Sequence, residues 1–424
     1  MKRLNVSIEV NGKQHHVGHI TGTSYEDAQF SYSRDYLSMK DIVPISVHLP
    51  LQKEAFSAME TEAFFEGLLP EGFSRRAVAN WAKTDEKDYL HILQKLGQEC
   101  LGALLVLEED SEMPAGSYEK LSIERVKELA AEGASKSTQL LLETHLSLTG
   151  ASGKVGLYYD KESGDWYLPL GNAASTHIVK QSHIRLDQIV LNEQLCVRTA
   201  HYIGIDVPES FIIDMKAGED ADVLYATERY DRQLSKKRTE DGLLIPMRLH
   251  QEDFAQALGI SAANKYETKK EGYLRWMFEL LRKNSSNPLE DQMKLWDIIV
   301  YNYLIGNTDC HLKNYSLLYS PSMQGIRLAP AYDIICTRAY RSSKDMSFYI
   351  GDEINIEKIQ RKHFMDAAAE VGLGKKIAMK HFDSLAGNFE RALKQAVTEV
   401  KDKGFPRAEA FGERILAGCG YRNL

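Results

Sequence analysis

No cysteine in this chain has a partner at C-x-x-C spacing. The five present (Cys100, Cys196, Cys310, Cys336 and Cys419) are odd in number and scattered, which argues against a disulfide framework or a cysteine zinc site and for a reducing compartment. No apolar run approaches the roughly 18 residues that a membrane span needs. The amino-terminal MKRLNVSIEVNGK turns polar within about a dozen residues, so it lacks the apolar core of a signal peptide. A cytoplasmic location without membrane contact is the expectation. An excess of positive charge is lacking too: 52 Lys and Arg against 60 Asp and Glu leave a formal net charge of -8. Non-specific binding to nucleic acid is therefore not expected, and any DNA affinity would come through a partner. Internal repeats and low-complexity tracts are absent. A Walker A loop is absent as well. In Ser147–Lys154, SLTGASGK, the pattern G-x-x-x-x-G-K-[ST] would need glycine at Leu148 and Ser or Thr at Val155.

What is there is a globular composition, 43% hydrophobic and 26% charged over 424 residues, long enough for two or three packed units. Leu4, Val6, Ile8 and Val10 alternate with polar residues, and Asn11-Gly12 supplies a tight turn into the return strand HHVGHI. AQFSYS extends this sheet. METEAFFEGLLPEGFSRRAVANWAK has helical spacing broken near Pro70, and LQKLGQECLGALLVL ends in a buried strand. The acidic, turn-prone stretch from Glu108 to Glu119 reads as a linker. LSIERVKELAAEG then predicts a helix with Ser122 as N-cap. KVGLYYD, DWYLPLG, THIVKQS, FIIDM and DVLYATERYD predict strands, and LNEQLCVRTAHYIGI a helix stopping near Gly204. From about Glu252 helical periodicity dominates. The pattern predicts an α+β protein of two lobes, a β-rich one followed by an all-helical one, preceded by a further small β-rich domain. The expected boundaries are 1–112, 113–240 and 241–424.

The chemistry sits in Asn307-Thr308-Asp309-Cys310-His311-Leu312-Lys313-Asn314, directly after the apolar helix LWDIIVYNYLIG. Phosphoryl transfer from ATP needs a carboxylate to orient or deprotonate an attacking hydroxyl, and oxygen ligands for Mg2+. The catalytic Asp and metal-binding Asn of protein kinases have the separation of Asp309 and Asn314. Lys313 would neutralise the transferring phosphate, and His311 would brace the loop through its backbone. Asp333, in the apolar and strand-like GIRLAPAYDIICT, supplies a second metal carboxylate. Upstream, Lys180 ends the strand THIVK much as V-A-I-K ends on its lysine, and Glu193 on the next helix is its natural partner. The backbone around Glu228 to Tyr230 would form an adenine-binding hinge. SLTGASGK, ending in Ser152, Gly153 and Lys154, is small and flexible enough to lie over phosphates.

Taken singly these residues are ordinary. Asp-x5-Asn commonly marks a turn or helix cap, lysines end solvated strands, and Ser147 and Thr149 are loop hydroxyls. The order decides: small-residue loop, strand lysine, helical glutamate, hinge, helical lobe, D-x5-N, then Asp, as a kinase requires.

Through TDCHLKN, PISVHLPL, FFEGLLPEG, LGQECLGALLVLEED, SLTGASGK, THIVK, ATERYDR, RLHQEDFAQALGI, the following KYE and LAPAYDII, the chain resembles the HipA family of bacterial serine/threonine kinases, toxins of toxin–antitoxin pairs. The resemblance implies a two-lobe kinase-like fold with an extra amino-terminal domain. It implies Asp309 as catalytic, Asn314 and Asp333 as Mg2+ ligands, Lys180 on the ATP phosphates, and Glu228 and Tyr230 at the hinge. It also implies autophosphorylation, with Ser147 the matching position and Thr149 and Ser152 as further sites. The implied partners are a translation protein as substrate, such as an aminoacyl-tRNA synthetase, and a small helix-turn-helix antitoxin that reaches operator DNA. Cys310 stands where glycine is common in the family, and SLTGASGK departs from the usual glutamine-containing loop. A small-molecule phosphotransferase and a non-catalytic nucleotide-binding co-repressor are the competing readings.

Overall fold

The computed structural model describes residues 2–109, 111, 115–130, 154–181, 186–214, 223–340 and 342–423. By its contacts the chain divides into two compact units. One comprises Met1–Ile184, Ile213–Ala262 and Leu317–Ile326, the other Arg185–Ile212, Ala263–Ser316 and Arg327–Leu424. The three-part division at 112 and 240 remains a proposal for how the chain is assembled.

In the first unit, β1 (Lys2–Val10) and β2 (Lys13–Gly22) pair antiparallel with Val10 opposite Lys13. Between them Asn11 and Gly12 have φ of 50° and 72°, the two successive left-handed residues that an Asn-Gly hairpin turn accommodates. With β3 (Gln29–Tyr32) and β4 (Leu104–Glu108) they form a sheet in the order β3-β2-β1-β4. Leu4, Val6 and Ile8 are buried on one face by the period-2 pattern. The helices Ala58–Phe65 and Gly72–Ala82 lie on either side of the Pro70 break, and the first is started by a reciprocal Ser57–Glu60 capping box. Phe30, Phe56, Phe64 and Phe65 fill the core beside the sheet.

The second sheet of this unit uses β5 (Ser117–Leu121), β6 (Lys154–Asp160), β7 (Asp165–Leu170), β8 (His177–Gln181), β9 (Ser210–Asp214) and β10 (Val223–Glu228). Their order is β5-β7-β6-β8-β10-β9, and Ile213 and Asp214 are the part of β9 that belongs to this unit. The register places Lys180 opposite both Lys154 and Tyr225.

The second unit is mainly helical, with Ile189–Ile203, Tyr273–Asn284, Pro288–Ile305, Arg361–Glu370, Lys375–Asp402 and Ala408–Gly418. It also carries a hairpin, Asp345–Ile350 with Glu353–Asn355. The helix Pro288–Ile305 begins with exposed residues, but from Leu295 onward it is buried around nearly its whole circumference and forms the unit's axis. Its aromatic residues each anchor a polar tip. Trp296 Nε1 donates to the Ala378 carbonyl (3.0 Å), Tyr301 Oη to Cys196 (2.6 Å) and Tyr303 Oη to Ile359 (2.9 Å). Those bonds fix the helix's rotation and height, and hence where the chain leaves it at Gly306. No helix among the described residues is long and apolar enough to cross a membrane.

Candidate active site

The segment after Gly306 is held by neighbours on several sides. Asn307 Nδ2 donates to Asn302 Oδ1 (2.9 Å), whose own Nδ2 reaches Tyr315 Oη (3.3 Å). The Thr308 amide donates to Thr337 Oγ1 (2.8 Å), and Ser347 Oγ donates to the Thr308 carbonyl (2.9 Å). The Asp309 amide donates to Asn307 Oδ1 (3.1 Å), while its carbonyl accepts from the His311 amide (2.9 Å) and Asn314 Nδ2 (2.8 Å). Irregular chain in a buried setting must satisfy its backbone in this way. The Asp309 carboxylate is half-buried at an open cavity of about 770 Å³, which Tyr266, Thr308, Ile335, Thr337 and Tyr349 also line.

Asn314 spends its amide nitrogen on the loop, which turns its Oδ1 away from the Asp309 carbonyl. That leaves a hard oxygen of the kind Mg2+ takes. His311 is buried with its ring edge-on to Tyr266, 5.0 Å between centroids. Lys313 is buried, and its carbonyl accepts from Tyr332 Oη at 2.8 Å. Burial pushes the Cys310 thiol up to about 12, so a thiolate nucleophile beside Asp309 is excluded at neutral pH.

Asp333 departs from expectation. The apolar stretch around it predicts a strand, yet Asp333 lies in irregular chain with φ of 56°. Ala331, Ile334 and Cys336 are apolar because tertiary packing buries them, without any sheet ladder. Cys336 is gripped at both backbone groups by Asn192, its amide donating to Oδ1 (2.9 Å) and its carbonyl accepting from Nδ2 (3.0 Å). On one side of Asp333, Tyr332 Oη bonds the Lys313 carbonyl and meets Ser316 Oγ at 2.7 Å. On the other, Thr337 Oγ1 bonds Thr308 and the Gly306 carbonyl (3.1 Å). The two tethers bring the Asp333 segment alongside the loop that carries Asp309 and Asn314. A carboxylate, a carboxamide oxygen and a base carboxylate on adjoining segments fit a magnesium–triphosphate site.

In the first unit Lys180 stands between Lys154 and Tyr225, its ammonium 5.7 Å from the tyrosine ring centroid. Ser147, Thr149, Ser152 and Gly153 lie outside the described residues. Glu193 is buried on the helix Ile189–Ile203 of the second unit, so its pairing with Lys180 stays a proposal. At the expected hinge, Glu228 pairs with Lys161 and Tyr230 Oη with Gln251 Oε1. The Arg229 amide is committed to the Thr176 carbonyl (2.9 Å), so adenine contacts from this turn would come from its two neighbours.

Sequence reasoning missed the hinge's other side. Arg229 donates to Asp231 (2.8 and 2.9 Å), Ser175 Oγ (3.0 Å) and Glu99 (3.4 Å). Arg232 and Arg248 join the same Glu99 at 2.8 and 2.6 Å, and Arg248 also meets Glu9 (3.5 Å). Glu99, Arg229, Asp231, Arg232 and Arg248 fall within the motifs LGQECLGALLVLEED, ATERYDR and RLHQEDFAQALGI, but their side chains carried no assigned role, and Glu9 and Ser175 lie in none of these motifs. Tyr266, whose phenol contacts Asp309, was signalled only as part of KYE.

A lysine-bearing antiparallel sheet and a helical unit presenting an Asp-x5-Asn loop define a kinase-like protein. The chain belongs to the HipA-like family: residues 8–107 match the HipA N-terminal domain and residues 146–393 the HipA-like C-terminal domain. It is 32% identical over 394 residues to a Sinorhizobium fredii protein named "Putative kinase", covering 91% of this chain and 90% of that one. It is 25% identical over 385 residues to the serine/threonine-protein kinase toxin HipA of Shewanella oneidensis, covering 87% and 83%. In fold it is similar to a chain of the Shewanella oneidensis HipA, HipB and operator DNA complex. The TM-score is 0.78 at 20% identity, over 98% of this chain and 96% of that one. The kinase-like α+β fold is thereby established, and kinase activity is the activity named in the family.

Proposed function

We propose that this chain is an ATP-dependent serine/threonine protein kinase of HipA type. The observation that carries the reading is the Asp309 loop: a half-buried carboxylate at an open cavity, on backbone bonded to Asn314 and flanked by the tethered Asp333 segment. Asp309 orients a serine or threonine hydroxyl and takes up its proton. The hydroxyl oxygen bonds to the γ-phosphorus, the bond from that phosphorus to the bridging oxygen breaks, and ADP leaves. Asn314 Oδ1 and Asp333 would hold magnesium, which when bound neutralises charge on the phosphate oxygens. Lys180 and Lys154 would hold the phosphates with Ser152 and Gly153, and Glu193 would orient Lys180. Lys313 would add positive charge beside the transferring group, and His311 would brace the loop. Glu228 and Tyr230 would contact adenine.

The substrate proposed is a translation protein of the aminoacyl-tRNA synthetase class, with autophosphorylation at Ser147 or Thr149. The proposed partner is a helix-turn-helix antitoxin that supplies the DNA contact. Support for it is the pairing of HipA with HipB on operator DNA in the structurally similar complex. Phosphate placed by autophosphorylation beside Lys154 would add about two negative charges and disfavour ATP.

Asp309→Ala should lower transfer of labelled phosphate from ATP by about 10² to 10⁴, the usual contribution of a positioned base. Undiminished incorporation by that variant would refute the assignment.

A further inference from the structure

We propose that Tyr266 is a positioning residue for Asp309, its phenol holding the carboxylate in the orientation that receives the acceptor hydroxyl. The proposal rests on reading Asp309 as the base, and it concerns a residue 43 positions earlier in the chain. Tyr266 Oη donates to Asp309 Oδ1 at 2.6 Å, the length of a charge-assisted bond to an ionised acceptor.

The triplet Lys265-Tyr266-Glu267 is built to hold that phenol still. The Lys265 carbonyl accepts from the Leu312 amide (3.3 Å), which ties the triplet to the catalytic loop. On the other side the Glu267 amide donates to the Ser347 carbonyl (2.8 Å). The buried Glu267 carboxylate accepts from the amides of Glu271 (2.7 Å), Gly272 (2.6 Å), Tyr273 (3.2 Å) and Tyr349 (3.0 Å). That knot joins the start of the helix Tyr273–Asn284 to the strand Asp345–Ile350. The Tyr266 ring then packs edge-on against His311, at 86°. The residue remains 40% exposed, so burial of the ring explains its place poorly and the polar contact explains it well. Tyr266 therefore fixes the orientation of the Asp309 carboxylate.

The opposite role, a phenol that occupies the acceptor's place and must leave, predicts effects of opposite sign. The test is Tyr266→Phe in the full chain, with labelled phosphate transfer from ATP to the chain itself and to casein as readout. The expected result is a fall in kcat of between about 10- and 150-fold, the scale of one hydrogen bond to a charged group. The KM for ATP should stay within about twofold. In parallel, ¹³C NMR of aspartate carboxyls in nucleotide-free protein at one neutral pH, assigned by difference with Asp309→Asn, should show the Asp309 carboxyl signal displaced in Tyr266→Phe. An unchanged kcat with an unmoved carboxyl signal, or a gain in kcat/KM for the acceptor, would overturn the proposal. Should the wild-type chain transfer no phosphate, the kinase reading fails, and the carboxyl signal alone still decides whether Tyr266 acts on Asp309.

Discussion

A left-handed backbone at a carboxylate limits which substitutions can separate chemistry from folding. Asp333 has φ of 56°, a region that Asp and Asn enter readily and other side chains enter at a cost of about 1–2 kcal/mol. Asp333→Ala should therefore lose magnesium-dependent ATP affinity and about 1 kcal/mol of stability together. Asp333→Asn should lose the affinity while its denaturant midpoint stays close to wild type. Titration calorimetry with ATP and Mg2+ beside urea unfolding measures both, and full ATP affinity in either variant would remove Asp333 from the metal site. At this scale the sequence is readable where chemistry is local. Asp309 and Asn314 declare themselves by spacing because one short loop holds both. Asp333 stands out as a candidate ligand, but its conformation is not legible, since Ala331, Ile334 and Cys336 are buried without forming a strand. Tyr266 is invisible as a site residue because its partner is 43 positions away, and no short pattern encodes that pairing.

Among the elements, the helix Pro288–Ile305 decides where the candidate loop begins. Pro288 sits in its first turn, where a missing N–H costs nothing. Gly306 ends it at φ of 79°, and the Gly306 carbonyl accepts from the Arg338 amide and Thr337 Oγ1, both at 3.1 Å. A Cβ at Gly306 would come within 3.1 Å of both Cys419 Cα and the Gly418 carbonyl oxygen. Gly306→Ala combines that crowding with left-handed strain and should cost about 1–3 kcal/mol. Phosphotransfer should fall with it, because the stop aims Thr308 and Asp309. If neither stability in urea nor turnover changes, Gly306 is not what directs the loop. Element starts and stops were readable for the same local reason: Asn11-Gly12 makes the hairpin, Pro70 separates two helices and Gly204 ends one at φ of 94°. The hairpin Asp345–Ile350 with Glu353–Asn355 was not. It lies where helical periodicity was expected, and its strand Asp345–Ile350 is organised by Glu267, far away in sequence.

At the scale of the whole molecule, the boundary between the two family domains does not coincide with a boundary in packing. Glu9 and Glu99 come from the part matching the HipA N-terminal domain, and Arg229, Asp231, Arg232 and Arg248 from the HipA-like C-terminal part. The six form one buried cluster of three carboxylates and three guanidinium groups inside the first unit. Sequence shows six ordinary charges here, because compensation among groups so far apart is settled only by the fold. Removing one partner from a buried ionic group leaves the others uncompensated, so Glu99→Gln should cost about 3–5 kcal/mol. The acid response follows from the same geometry. Burial opposes ionisation of Glu99, but Arg248, Arg232 and Arg229 outweigh it and hold its carboxyl down at about 2. Arg229 and Arg232 likewise hold Asp231 far below the usual range. A folded pKa below the unfolded value stabilises the protein above about pH 4. That stability is lost as pH falls from there toward 2, and Glu99→Gln should make this acid limb shallower. Hydrogen exchange followed by mass spectrometry reads which segments depend on the cluster. In Glu99→Gln, protection should drop in β1–β4 and also in β6, β8 and β10, since Arg229 continues from β10 and donates to Ser175 just before β8. Loss confined to residues 8–107 would mean that the amino-terminal part folds as a separate module, and the cluster would then be a seam and not a shared core.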